Sequence, residues 1–385
     1  MYKKISYFPG LNALRFFAAF LVVIHHLETI RVKDKLYDTP HFSVLTNGGN
    51  GVYFFFVLSG FLITYLLLRE YQKNHTVSVR KFYMRRVLRI WPLYFLLITI
   101  GVFIVPTFLR IIHFPYDMPY TTWQALPWYL VFMPFMVNLI YGNNMLMPLW
   151  SIGVEELFYA IWAPLFKFLR KNIILIVAGI MIIKLGLHTY FYFTAPNGMA
   201  YKLLKLLAFE CMSIGALGAI FVYNLKTKIE NHFLFRLPTQ IFLLAVIFGE
   251  VCAHAFLSNH LLVWHLLFDT PIVSGVIRAV LFCWLIINVS VNSGSLLKLE
   301  NRVLDYLGKI SYGIYMYQMC IIFGVVLVFK KLHFGNDYLS MIIYNFIVVA
   351  LLVGLAALSK HFFEDYFLRL KHKFEVGVKN NKKAV

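Results

Sequence analysis

The stretch Leu11–Leu27, LNALRFFAAFLVVIHHL, is apolar enough to enter a bilayer, yet it carries Arg15, His25 and His26. Charged and titratable groups at membrane depth are costly, and they usually mark a pathway or a reaction centre. Arg15 and His26 are eleven residues apart, so on a helix they fall about 20° from the same face and roughly 16 Å apart along the axis. His25 points about 100° away from that face. The spacing therefore predicts one helix stripe with a guanidinium near one membrane surface and an imidazole towards the other.

Both side chains also have a purely structural explanation. Arg15 lies about one turn into the span, where its long side chain can snorkel to the interface. His26 can be a buried histidine bonded to a backbone carbonyl of a neighbouring helix. Taken alone, the helix favours a functional role for His26 and leaves Arg15 evenly balanced.

The composition is that of a membrane protein. Of the 385 residues, 61% are hydrophobic and 14% are charged, whereas soluble domains are about half apolar. Repeated stretches of around 20 apolar residues predict an all-α polytopic membrane protein. The net charge of +19 would suggest nucleic acid in a soluble chain, but cations that flank apolar spans are more simply topology determinants. We therefore expect the lipid bilayer as a partner and no nucleic acid. The four cysteines are isolated from one another, which indicates neither a zinc site nor a disulfide framework.

The apolar runs and the distribution of Lys and Arg predict ten spans with both termini in the cytoplasm. The spans lie at about 11–30, 52–69, 91–111, 150–170, 172–193, 202–223, 237–257, 272–292, 308–330 and 340–363. With the N-terminus inside, 25 of the 36 Lys and Arg residues fall in inner segments and eight in outer ones. An excess of this kind sets orientation. We expect a multi-pass protein of the cytoplasmic membrane, with a membrane domain over 1–373 and a short basic cytoplasmic tail over 374–385.

One apolar stretch, Trp128–Tyr141, is too short for a span and is interrupted by Pro134. Counting it as a span would place the basic residues Lys167, Arg170 and Lys171 outside. It is therefore predicted to be a re-entrant or interfacial segment on the outer side, since non-helical backbone is tolerated at membrane depth where protein or water covers it.

Four further stretches carry polar groups in apolar surroundings. In the second span, Ser59, Gly60 and Thr64 are small enough to let helices approach closely, with a substrate contact as the less favoured role. Arg86 and Arg89 lie three residues apart on one helix side, which suits a phosphate group, although ordinary inner-side charge explains them as well.

The remaining two stretches contain carboxylates and hydroxyls. Glu155 and Glu156 lie near the outer end of the fourth span, where they can complement a helix dipole or orient the imidazole of His26. Their side chains diverge by about 100°, so one of the two is expected to face a site, and the sequence leaves open which. Tyr312 and Tyr315 can line a cavity or anchor the helix at the interface.

Taken together, these stretches resemble the acyltransferase-3 family of integral membrane acyltransferases. The resemblance rests on the pair Arg15-x10-His26, on FFVLSGFLIT at 55–64, on Arg86-x-x-Arg89, on WSIGVEELFY at 150–159 and on LGKISYGIY at 307–315. Each motif is weak alone, but the ordered set is specific and covers nearly the whole chain.

The resemblance implies a bundle of about ten membrane helices. Such a protein transfers an acyl group, usually acetyl, from cytosolic acyl-coenzyme A to a hydroxyl of an envelope carbohydrate or lipid-linked glycan. No metal is expected to take part. His26 would be the catalytic histidine, with Arg15 as its companion in the family's pair. Arg86 and Arg89 would hold the coenzyme's phosphates, and Glu155 or Glu156 would belong to the essential acidic motif. The candidates for substrate contacts are Ser59, Trp150, Ser151, Tyr312 and Tyr315.

The chain departs from the family's pattern at two positions. Gln318 stands where the family frequently has histidine, so no proton-transfer role is assigned to it, and Tyr53 occupies a position that is often acidic or small. Some relatives carry an additional esterase-like domain, which this chain is expected to lack. We therefore expect transfer to be completed in the membrane bundle or handed to a separate partner protein, and a homodimer is a further candidate.

Two mechanisms and a second function stay open at the level of sequence. His26 can act as a general base on the acceptor hydroxyl, or it can form a covalent acyl-histidine intermediate. A transporter or flippase for a lipid-linked sugar would also place Arg15, His26 and the glutamates in the membrane, as a proton relay. The lack of repeat symmetry and the Arg86/Arg89 pair favour the enzyme.

Overall fold

The structure, a computed structural model, describes residues 7–34, 36, 47–113, 119–142, 144–225, 229–332 and 337–374, and every regular element in these ranges is helical. The helices are α1 (Leu11–Lys33), α2 (Gly49–Asn74), α3 (Val79–Ile98), α4 (Val105–Ile111), α5 (Thr122–Leu130), α6 (Pro134–Tyr141), α7 (Leu149–Leu169), α8 (Ile173–Thr194), α9 (Met199–Leu206), α10 (Phe209–Asn224), α11 (Leu237–Cys252), α12 (His254–His260), α13 (Leu262–Phe268), α14 (Val273–Val291), α15 (Arg302–Lys331), α16 (Tyr338–Ser359) and α17 (Asp365–Lys371). The predicted tail beyond residue 374 lies outside the described residues.

The prediction of an all-α polytopic membrane protein is confirmed. Among the described residues, eight helical stretches are long and apolar enough to cross a bilayer, or nine if α11 and α12, bent by 101° at their junction, form one broken span. One of the eight, Leu149–Thr194, has 46 residues, which is about 69 Å of helix against a hydrocarbon core of about 30 Å. The 3-10 turn Arg170–Asn172 divides this stretch, so it contains two of the ten predicted spans.

Polar side chains cap the starts of several helices where the sequence supplies them. Ser78 accepts a hydrogen bond from the backbone N–H of Lys81 at the start of α3, and Asn301 accepts one from Val303 at the start of α15. Such caps satisfy backbone donors that have no partner within the helix. They fix the first residues of α3, which carries Arg86 and Arg89, and of α15, which carries Tyr312, Tyr315 and Gln318.

Helices α1 and α15 run side by side in the same direction. Near their first residues, Asn12 Nδ2 donates a hydrogen bond to Asp305 Oδ1 at 2.6 Å. Near their last residues, Lys330 Nζ pairs with Asp34 Oδ1 at 2.6 Å. The surface of the bundle at which α1 begins is named the Leu11 face here, and the surface at which it ends is named the Lys33 face.

Helices α2 and α10 pack closely and both end at the Leu11 face, where Tyr223 OH donates to Gln72 Oε1 at 3.0 Å. A Cβ atom added at Gly60 would lie 2.0 Å from the backbone oxygen of Met212, and one added at Gly215 would lie 2.0 Å from that of Val57. Each glycine therefore allows the other helix to approach its backbone directly, as small residues do in membrane bundles. The packing interpretation of Gly60 agrees with this contact.

Gly60→Ala should destabilise the fold by about 1–3 kcal/mol, the usual cost of overpacking a close contact. The thermal unfolding midpoint of the detergent-solubilised protein measures this loss. Gly354→Ala is the matched control, because Gly354 also lies in a membrane helix but a Cβ there meets no atom within 4 Å. Equal midpoints for the two variants would contradict the close approach of α2 and α10.

The stretch Trp128–Tyr141 forms no full span. It consists of the end of α5 and all of α6, joined by a turn in which Phe132 adopts a φ of 58°. The Phe132 ring stacks on Tyr94 of α3 with 4.5 Å between ring centroids, and its carbonyl oxygen lies against Gly153 of α7. The turn is thus covered by two membrane helices, which is the arrangement predicted for a re-entrant segment.

Candidate active site

An elongated cavity of about 300 Å³, named the arginine cavity here, lies between α1, α2, α3, α7 and α15. One end is at Tyr7, which precedes α1 and is 60% exposed. Along α2 the cavity extends from Arg69 to Phe55, about 21 Å of helix. Its polar lining residues are Tyr7, Asn12, Arg15, Ser59, Tyr65, Arg69, Arg86, Arg89, Ser151, Glu155, Tyr159, Ser311, Tyr312 and Tyr315.

Three predicted arginines, Arg15 of α1 and Arg86 and Arg89 of α3, share this cavity and repel one another. Among the described residues, no carboxylate lies within 4 Å of any of the three guanidinium groups. The Arg86 guanidinium instead rests over the rings of Phe82 and Tyr159, at 5.6 and 5.5 Å from their centroids. Its Nε is buried and has no hydrogen-bond partner within the described part of the chain.

Such a cluster of like charges in a low-dielectric interior is unfavourable unless an anion compensates it. Guanidinium groups are planar forks of N–H donors that match the oxygen atoms of phosphates and carboxylates. The arginine cavity is therefore suited chemically to a ligand with several negative charges.

The adjacent glutamates face two different cavities. Glu155 lines the arginine cavity, where its Oε2 accepts a hydrogen bond from Tyr159 OH at 2.6 Å and its charge attracts Arg15. Glu156 lines a second cavity of about 430 Å³ beside the re-entrant turn, and its Oε2 accepts a hydrogen bond from Trp91 Nε1 at 3.3 Å. The structure thus places Glu155 in one cavity with all three predicted arginines, whereas Glu156 shares its cavity with Arg86 alone of the three.

His26 does not line the arginine cavity. Its side chain is 8% exposed, and its Nδ1 lies 3.0 Å from Oε1 of Gln318. Of the two roles considered for the glutamates, orientation of this imidazole finds no contact among the described residues: Glu155 bonds Tyr159 and acts on Arg15, which is about 16 Å from His26 along α1. Gln318 of the parallel helix α15 occupies that position instead.

Ser151 and Tyr315 lie between the arginine cavity and His26. Both line the cavity, and their side-chain oxygen atoms are 2.8 Å apart. Gln318, the partner of His26, lies one helical turn beyond Tyr315 and donates a hydrogen bond to the Tyr315 carbonyl oxygen at 2.8 Å. The structure therefore brings together the arginines, Glu155 and the hydroxyls, and leaves the imidazole on the far side of the Ser151–Tyr315 pair.

The other predicted contact residues differ in their placement. Ser59 lines the cavity within hydrogen-bonding reach of Glu155. Tyr312 also lines it, and its hydroxyl donates to a backbone carbonyl of α3 at 3.0 Å. Trp150 does not line it, because its ring packs edge-on against Phe56 with 5.8 Å between centroids.

Comparison with known protein families matches residues 8–360 to the acyltransferase domain. The chain belongs to this acyltransferase family. The predicted resemblance is thereby confirmed over nearly the whole length of the chain. No group of three or more His, Cys, Asp or Glu residues within the described ranges is arranged to hold a metal ion.

Several bacterial proteins are similar to this acyltransferase chain. A protein of Staphylococcus aureus (strain COL), whose name gives O-acetyltransferase as a provisional activity, is 26% identical over 383 residues, which are 95% of this chain and 58% of that protein. The peptidoglycan O-acetyltransferase OatA of Listeria monocytogenes serovar 1/2a is 30% identical over 236 residues, which are 57% of this chain and 35% of OatA. The O-acetyltransferase OatA of Staphylococcus aureus (strain NCTC 8325 / PS 47) is 30% identical over 207 residues, which are 51% of this chain and 32% of that protein. The chain thus spans less than two thirds of each of these relatives, and no solved structure matches it.

The sequence analysis did not single out several polar residues of the cavity lining, namely Tyr7, Asn12, Tyr65, Arg69, Tyr159 and Ser311, or Glu364 near Arg89. Glu364, in the π-helical turn after α16, interacts electrostatically with Arg89 and Tyr312. Its one signal in the sequence is a carboxylate at the end of the last apolar run.

Tyr7 donates a hydrogen bond from its hydroxyl to Asp305 at 3.3 Å. Partial burial and then the charge of Asp305 raise the pKa of Tyr7, so the phenol stays a neutral donor at the cavity's end.

Proposed function

We propose that this chain is a membrane O-acetyltransferase. It would transfer an acyl group, which we propose to be acetyl, from acyl-coenzyme A to a hydroxyl of an envelope carbohydrate such as peptidoglycan. The observation that carries the proposal is the cluster of Arg15, Arg86 and Arg89 in one elongated cavity, with no carboxylate of the described residues within 4 Å. Membership of the acyltransferase family and the names of the O-acetyltransferase relatives support it.

The donor would enter from the Leu11 face. The excess of Lys and Arg predicts that this face lies on the cytoplasmic side, in a protein of the cytoplasmic membrane. Arg86 and Arg89 would hold the phosphates of the coenzyme as charge-assisted donors. The slender pantetheine arm would then extend along α2, past the apolar side chains of Leu62, Leu58 and Phe55 that line the cavity. This path points the thioester towards the Ser151–Tyr315 pair.

Transfer would take place where the thioester meets the acceptor hydroxyl beside His26. The neutral imidazole accepts the hydroxyl proton as the acceptor oxygen attacks the thioester carbonyl. The new carbon–oxygen bond forms, the carbon–sulfur bond breaks, and the proton passes from the imidazolium to the departing thiolate. Ser151 and Tyr315 line the cavity one helical turn of α15 before Gln318, so the thioester would pass this pair, and their hydrogen bond would open, on the way to the imidazole.

Release of coenzyme A from acetyl-coenzyme A tests the proposal, with the purified protein in proteoliposomes and soluble peptidoglycan fragments as acceptor. Glu155→Gln should lower the rate about 10- to 100-fold, because it removes the carboxylate that faces the three arginines. Glu156→Gln is the matched neighbour and should lose clearly less activity, since its side chain faces the other cavity, where Arg86 is the one arginine of the three. Equal losses in both variants would contradict this assignment of the glutamates. A wild-type protein that releases no coenzyme A with any carbohydrate acceptor would overturn the proposed function.

A further inference from the structure

The side-chain amide of Gln318 is completely buried and is engaged at both ends. Its Nε2 donates a hydrogen bond to the backbone oxygen of Tyr315 at 2.8 Å, and its Oε1 lies 3.0 Å from Nδ1 of His26. Both partners are fixed in position, one by the backbone of α15 and the other by α1, which runs parallel to it.

The first of these contacts decides the orientation of the amide. A backbone carbonyl oxygen can only accept a hydrogen bond, so the NH₂ group of Gln318 must face Tyr315. The amide oxygen then faces the imidazole, and because this oxygen can only accept, Nδ1 of His26 must carry a proton. The opposite tautomer would bring two acceptors together in a buried site, which is unfavourable.

A neutral imidazole that is protonated at Nδ1 has its lone pair at Nε2. No described residue makes a hydrogen bond with Nε2 of His26, whose Gln318 contact is at Nδ1. Nε2 is therefore the nitrogen that can take a proton from an acceptor hydroxyl.

We infer that Gln318 is a positioning residue, which fixes the tautomer and the ring orientation of His26 so that Nε2 is the basic nitrogen in acyl transfer. This inference rests on the proposed function of His26. An amide suits the task because it accepts the Nδ1 hydrogen bond without carrying charge. A carboxylate at the same place would accept the same hydrogen bond but would bring an additional charge into a buried site, which is costly.

Steady-state kinetics of coenzyme A release test the inference. Gln318→Met replaces the amide with a side chain of similar shape that has no hydrogen-bonding groups. It should lower kcat about 100-fold. KM for acetyl-coenzyme A should stay within about twofold, because the phosphates bind at the arginines. Gln318→Glu keeps an acceptor for Nδ1, so it should retain clearly more of the wild-type kcat than Gln318→Met does. Tyr317→Phe is the matched control, because it removes a hydrogen bond of 3.0 Å to Ser359 from the same helix, and its kcat should be unchanged.

A direct readout is the ¹⁵N NMR spectrum of the histidine-labelled protein, in which the His26 signals are those lost in His26→Asn. The wild type should show a protonated Nδ1 and an unprotonated Nε2, and Gln318→Met should show both tautomers. A wild-type protein with the proton on Nε2 would overturn the inference even if Gln318→Met fails to fold.

The kinetics separate this inference from the proposed function. If His26→Ala is inactive and Gln318→Met has the kcat and pH profile of the wild type, the positioning role is wrong and the proposed function stands. If His26→Ala keeps wild-type turnover, the proposed function itself fails.

Discussion

His26→Ala should abolish acyl transfer and leave a folded protein that still binds acetyl-coenzyme A. A general base contributes about 10²- to 10⁴-fold to a rate, and the hydrogen-bond partner of the buried imidazole among the described residues is the neutral amide of Gln318, which cannot replace it as a base. Donor binding should persist because the arginine cavity does not include His26. Transfer of radiolabelled acetyl to peptidoglycan fragments measures the first effect, and equilibrium binding of the labelled donor measures the second.

His25→Ala is the matched control for this prediction. It removes an imidazole from the adjacent residue, whose side chain leaves α1 about 100° away from His26, and we expect it to retain most of the transfer activity. Substantial turnover by His26→Ala, or equal losses in both variants, would exclude His26 as the base.

Replacing Arg86 and Arg89 together with alanine should raise KM for acetyl-coenzyme A at least about 100-fold, with a much smaller change in kcat. Each hydrogen bond to a charged group contributes about 1.5–3 kcal/mol, and about 1.4 kcal/mol corresponds to a tenfold change in affinity. Because the phosphates are remote from the reacting carbonyl, their contacts stabilise the bound substrate and the transition state alike, which is the case that changes KM alone.

Arg80→Ala controls for the loss of positive charge from α3. Arg80 belongs to the same helix, but it is exposed and lies outside the arginine cavity, so its replacement should leave KM within about twofold. Affinity of the double variant for acetyl-coenzyme A equal to that of the wild type would show that the arginines do not hold the phosphates.

Much of the fold follows from the sequence because membrane helices obey local rules. The length of the apolar runs predicts the helices, and Pro134 together with the charge at Lys167 predicts the re-entrant stretch. The helical period also places Arg86 and Arg89 on one side, and the structure puts both into one cavity. These features depend on residues a few positions apart, which the sequence displays directly.

The details of the site depend on contacts between distant parts of the chain. Which of Glu155 and Glu156 faces the arginines is set by the rotation of α7 against its neighbours, which no local pattern reports. The partner of His26 is Gln318, 292 residues later in the chain. The resemblance singles out this position, but the register between α1 and α15 that brings the two side chains together is a property of the fold.

The shared helix face of Arg15 and His26 predicts a common passage, and the structure adds what other helices place near it. A stripe of one helix gives the direction of two side chains and does not reveal what other helices insert between them. Here α7 and α15 contribute Ser151 and Tyr315, whose oxygen atoms are 2.8 Å apart. This contact between two other helices could be found only from the packed bundle.

The central claim is that the arginine cavity holds the coenzyme's phosphates and directs the acyl group to His26. A cryo-EM structure with a hydrolysis-resistant thioether analogue of acetyl-coenzyme A tests it most directly. The account predicts phosphate oxygens about 3 Å from the guanidinium groups of Arg86 and Arg89, an open Ser151–Tyr315 contact, and the acyl end beside the imidazole. A nucleotide bound outside this cavity, or an acyl end held on the arginine side of an intact Ser151–Tyr315 pair, would contradict it.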